Sequence, residues 1–163
     1  MPPRRRDPAT AGAAVRAALQ PVLGWLDCDS AVTPADPGSP DEPGVGAESG
    51  AGTEQGNRAP VDRVAQPSRP VLAHAVRVSL RAFADLHKGR AVEIRVPPFA
   101  AVQCLPGLTH TRGNPPNVIE TDARGWLSLV TGRLTWAEAL AADVVTASGH
   151  RTGEIGPLLP MDC

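Results

Sequence analysis

The sequence predicts an α+β protein, with one sheet and its helices gathered on one face. Three observations carry that prediction. Val92, Ile94 and Val96 alternate with Glu93 and Arg95, the period-2 pattern of a strand with one buried face. Leu72, Val76, Leu80 and Phe83 precede it at helical spacing. Two short amphipathic helices, starting at Asp122 and Thr135, run into a final strand. The chain divides into a helix with a basic tail (1–28), an acidic linker (29–67) and a folded domain (68–163).

Met1 to Arg6 is a basic, proline-containing end that reads as a solvated tail. Asp7-Pro8 opens a helix, with Asp as cap and Pro at the first helical position. Val15, Leu19, Val22 and Leu26 continue it to Leu26 and give it a face to pack on the main domain. Pro21 should kink or split this helix, because it has no N–H and crowds the preceding turn. Asp29 to Pro67 is rich in Pro, Gly, Ser, Ala, Asp and Glu and nearly empty of large apolar residues. Such a segment buries too little surface to offset its ordering entropy, so it is expected to be disordered.

Order resumes at Ser68, which is placed to cap a helix with Pro70 in its first turn; Lys88-Gly89 ends it. The strand Ala91–Val96 follows and must bend or stop at Pro97-Pro98, which cannot donate to a ladder. Phe99 to Cys104 reads as a second strand, and Pro106-Gly107 as a turn. His110 to Asn117 is irregular, and Val118 to Thr121 gives a third strand. Asp122 then stands as the N-cap of a helix carrying Trp126, Leu127, Leu129 and Val130, closed by a left-handed Gly132. Thr135 and Glu138 form a T-x-x-E capping box for the next helix, whose apolar side is Trp136, Ala139 and Leu140. A strand over Val144–Ala147 and a helical turn over Glu154–Leu159 complete the chain.

The order Asp, Trp-Leu-x-Leu, Gly, an Ala-rich helix, a short strand and Ser-Gly between Asp122 and Gly149 resembles the C-terminal half of sterol-carrier-protein-like domains. The runs VEIRVPPFAAVQC (Val92–Cys104) and HTRGNPPNVIETD (His110–Asp122) resemble the small actinobacterial branch of sterol carrier family proteins. The likeness covers roughly Val71 to Leu159 and leaves the acidic segment out. It implies a small, mostly antiparallel sheet covered on one face by helices, around an apolar tunnel. It implies a carrier with no catalytic residues and no cofactor, in which Phe99, Trp126, Leu127, Val130, Trp136 and Leu140 line a cavity between sheet and helices. His110 and Arg112 would orient a polar head group there. The residues alone favour an ordinary filled core; with the resemblance the two readings stand even.

Composition narrows the remaining classes. The formal net charge is −1, so no global field favours nucleic acid or an anionic membrane. No apolar run approaches the roughly 20 residues of a membrane span, and Arg4–Arg6 are not followed by the apolar core of a signal peptide. The expected location is therefore the cytoplasm. Its reducing environment suits three cysteines, Cys28, Cys104 and Cys163, without framework spacing. His74, His87, His110 and His150 are scattered, and none forms a metal-spaced pair, so no metal site is expected. Cys104 sits in an apolar strand, where a thiol behaves as a small hydrophobe; as a nucleophile it would need a base such as His110. Three functions stand at this point: carrying an apolar small molecule, a structural or regulatory interaction module without ligand, and an accessory domain of an isomerase-type enzyme. The metal-binding helical domain that accompanies sterol-carrier-like folds in thiol-dependent isomerases has no counterpart in these 163 residues.

Overall fold

The computed structural model describes residues 8–28, 65–107 and 115–161. The basic tail, nearly all of the acidic linker and the loop holding His110 and Arg112 lie outside the described residues. The elements run α1 (Pro8–Asp27), α2 (Arg69–Leu86), β1 (Val92–Val96), β2 (Ala100–Cys104), β3 (Val118–Thr121), α3 (Ala123–Val130), α4 (Trp136–Ala141) and β4 (Val145–Ser148). A 3-10 helix over Thr152–Leu158 follows.

The four strands form one mixed sheet in the order β2-β1-β3-β4. β1 pairs antiparallel with β2 and parallel with β3, and β3 pairs antiparallel with β4. Ile94 is the register centre, opposite Val102 on one side and Ile119 on the other. Val92, Ile94, Val96, Ile119 and Val145 are buried on the helical face. Glu120, Thr146 and Ser148 are exposed on the other, with Glu93 and Arg95 half-buried among them. The period-2 alternation thus decides which face the helices cover.

α2 packs along β2 and is flanked by α1 and α3. Leu72, Val76, Leu80 and Phe83 are buried as their spacing predicts. Ser68 does stand at the N-cap of α2, but its hydroxyl makes no capping bond. Pro70 in that first turn carries no N–H, so fewer donors there need a partner.

Pro21 does not split α1, which runs through it as a single helix of 20 residues. Val15 and Leu19 before the proline and Val22 and Leu26 after it are all buried. Ala17, whose carbonyl loses its helical partner, and Pro21 itself are exposed, so the break in the hydrogen-bond ladder falls on the helix's outer side. Burial on both sides of the break offsets the ~3 kcal/mol that an interior proline costs.

The local signals after β3 hold. Asp122 accepts from Gly125 N–H at 2.6 Å. Gly132 ends α3 in the left-handed region at φ +73°. Both halves of the Thr135–Glu138 box are made: Glu138 N–H donates to Thr135 Oγ1 and Thr135 N–H donates to Glu138 Oε2. Thr135→Ala is therefore expected to cost about 1 kcal/mol through loss of the cap. A urea melt indistinguishable from wild type would contradict a functioning cap. Other boundaries move slightly. Phe99 belongs to the β1–β2 turn, its N–H donating to Val96 O at 2.9 Å, and not to the strand after it. The last strand begins at Val145, because Val144 N–H is already taken by Ala139 O.

Candidate functional site

α3 is the element that brings the candidate residues to the core. Its cap fixes the start of the helix at Ala123, and the following spacing turns Trp126, Leu127, Leu129 and Val130 inward. Trp126, Leu127 and Val130 are each no more than 1% exposed and belong to one apolar cluster with Phe83, Leu80 and Ile94. Phe83 meets the Trp126 ring edge-on, with centroids 5.7 Å apart at 88°. That geometry matches the quadrupoles of the two rings. The indole N–H also has a partner: Nε1 donates to Ser79 Oγ at 2.9 Å. Ser79 Oγ in turn donates to Ala75 O at 2.8 Å, so no polar atom of the pair is left unmet.

The other candidates sit at the margins of this cluster. Trp136 is half-buried and packs against Gly156, where an added Cβ would meet the ring at 2.8 Å. Phe99 is half-buried in the β1–β2 turn. Leu140 is 39% exposed and lies outside the cluster. The structure therefore joins Trp126, Leu127 and Val130 in the core, packs the half-buried Trp136 and Phe99 against it, and leaves Leu140 outside. A shallow hollow of about 370 Å³ opens at the turn, floored by Pro97, Pro98, Phe99 and Ala100 between Arg95 and Glu120. Arg95 is held by Glu93 at 2.7 Å, and Gln103 donates to the same carboxylate at 3.3 Å.

Cys104 is fully buried, and burial pushes its thiol up from 9.0 to about 11. At neutral pH it is held as the uncharged thiol, which is not the nucleophilic form. Its neighbour is Val92 O at 3.7 Å, an acceptor and not a base. Among the described residues no three His, Cys, Asp or Glu side chains come together as metal ligands would. No helix among them is long and apolar enough to cross a membrane.

Two structural polar residues were missed in the sequence. Ser79 falls on the buried stripe of α2, between Val76 and Leu80 and Phe83, and that placement was a readable sign of a buried hydroxyl. Asn117 is 3% exposed and ties three segments together. Its amide donates to Ala91 O at 2.8 Å and its carbonyl accepts from Arg151 N–H at 3.1 Å. Arg151 extends the knot to Pro106 O at 3.0 Å and to Glu154 at 2.7 Å. An asparagine after two prolines gave no local signal of this role.

Residues 68–161 match the family model described as the bacterial SCP ortholog. The match begins at the cap of α2 and ends beyond the 3-10 helix, so α1 stands outside it. No curated protein matches the chain.

Proposed function

This chain belongs to the bacterial SCP (sterol carrier protein) ortholog family, and from that premise we propose that it binds and carries an apolar small molecule without catalysing a reaction. The family match is the observation that carries this reading. The ligand would be an acyl chain, a lipid or a sterol-like molecule, held in the cytoplasm. Its driving force would be burial, about 0.8 kcal/mol for each CH₂ taken from water. The apolar wall is Trp126, Leu127 and Val130 on α3, bordered by Trp136, Leu140 and Phe99. His110 and Arg112 would meet the polar head group.

Delipidated protein titrated with a fluorescent long-chain fatty acid tests this. Energy transfer from tryptophan to the probe is the expected result. Leu127→Trp should fill the site and abolish that binding while the far-ultraviolet spectrum persists. A protein that binds no acyl chain would leave the second reading, an interaction module without ligand. The tight burial of Trp126, Leu127 and Val130 favours that second reading, since a filled core needs no guest.

A further inference from the structure

α1 stands apart from the rest of the fold. The family match begins at residue 68, and residues 68–161 hold the whole sheet and every other helix among the described residues. Residues 28–68 separate α1 from α2, so its own contacts, and no short turn, set its place. Val15, Leu19, Val22 and Leu26 are buried where α1 lies against α2 and α3. Their i, i+4, i+7, i+11 spacing is that of an amphipathic helix laid into a groove.

Polar ties fix how it lies. Among the described residues they fall in and just beyond the last turn of α1, and both ends of α3 supply them. The Arg124 guanidinium lies over the Trp25 ring, 4.8 Å from its centroid, and Arg124 Nη2 donates to Cys28 O. Arg133 Nε donates to Asp27 Oδ1 at 2.6 Å. The helix in the groove is nonetheless built weakly. Pro21 removes a bond from its ladder. Gly12 and Gly24 have nothing within 4 Å of an added Cβ, so packing calls for glycine at neither. Each weakens the helix relative to alanine. α1 therefore depends on docking for its helical form, and a better helix would take the same face at a smaller ordering cost.

We propose that the α2–α3 face under α1 is a docking groove for an amphipathic helix of another protein, with α1 as its tethered competitor. The partner helix carries apolar residues at i, i+4, i+7 and i+11, an aromatic residue just before the last of them and an acid just after it. Trp25, Leu26 and Asp27 show that order on α1. The aromatic ring takes Arg124 and the acid takes Arg133. Tethering gives α1 the advantage of an intramolecular contact, so only a better helix displaces it. The docking does not rest on the carrying of a ligand.

The full chain is opened by Leu19→Asp together with Val22→Asp, which drives α1 out of the groove. The probe is a fluorescein-labelled synthetic peptide of residues 8–28 carrying Gly12→Ala, Pro21→Ala and Gly24→Ala, followed by fluorescence polarisation under reducing conditions. The opened chain is expected to bind it at least about tenfold more tightly than the wild-type chain does, and to ignore a scrambled peptide. Arg133→Glu in the opened chain should weaken binding about fivefold, and Asp27→Arg in the peptide should restore it. Hydrogen exchange of the wild-type chain is the second measurement: amides of α1 should exchange ahead of those of β1. Equal protection of α1 and β1, or no peptide binding by the opened chain, would overturn the proposal. Loss of β1 protection in the opened chain would do so too, because α1 would then be inseparable from the core. So would a stable complex between opened and wild-type chains, since the groove would then serve exchange of α1 between copies.

Discussion

Trp126→Ala is expected to lower folding stability by roughly 3–5 kcal/mol, a large share of the 5–15 kcal/mol typical of a domain. The side chain is the largest among the fully buried ones of the described residues, and its loss opens a void that its neighbours cannot wholly fill. Phe83 also loses its edge-on partner. The Ser79 contact makes a second arm of the experiment. Ser79→Ala strands the buried indole N–H, which costs about 1–3 kcal/mol. Trp126→Phe removes the donor instead of the acceptor. The double variant should therefore cost less than the two single changes added together, since it leaves no orphaned donor. Denaturant melts of the three proteins measure the coupling. Strict additivity would mean that the Trp126–Ser79 bond contributes nothing, and a loss below about 1 kcal/mol for Trp126→Ala would mean that the ring lies against open space.

Gly149→Ala should be as damaging, for a backbone reason. Gly149 has φ +102°, which L-residues with a Cβ rarely adopt. An added Cβ would also run into Pro116 O, lie 2.5 Å from Asn117 Oδ1 and 2.8 Å from Asn117 Cα. The clash falls on the residue that ties Ala91, Arg151 and the end of the sheet together. Strain and overpacking together are expected to cost roughly 2–5 kcal/mol. Gly153→Ala is the control, because nothing lies within 4 Å of its added Cβ. It should leave the thermal midpoint nearly unchanged. Equal melting of the two variants would show that the Gly149 turn relaxes freely.

The sequence by itself determined what is decided within a few residues. The Asp122 and Thr135 caps, the left-handed Gly132 and the strand alternation at Val92–Val96 each bond or turn with near neighbours, so spacing reveals them. It also revealed the family, through residue runs that lie inside the matched region. Tertiary structure alone decided what depends on distant partners. No local pattern places β1 parallel to β3 while β2 lies on its other edge. Nor does spacing show that Trp126 bonds a serine 47 positions earlier, or that Asn117 holds Ala91 and Arg151. Pro21 shows the same competition from the other side: local chemistry argued for a break, and the buried contacts of Val15, Leu19, Val22 and Leu26 outweighed it. The candidate site fell between the two. Helical spacing correctly turned Trp126, Leu127 and Val130 inward, but α4 is only six residues long, too short for its period to fix how far Leu140 reaches the core. That helix lies against β4 and α3, and its first residue, Trp136, meets Gly156 of the 3-10 helix, contacts between distant segments that no local spacing shows.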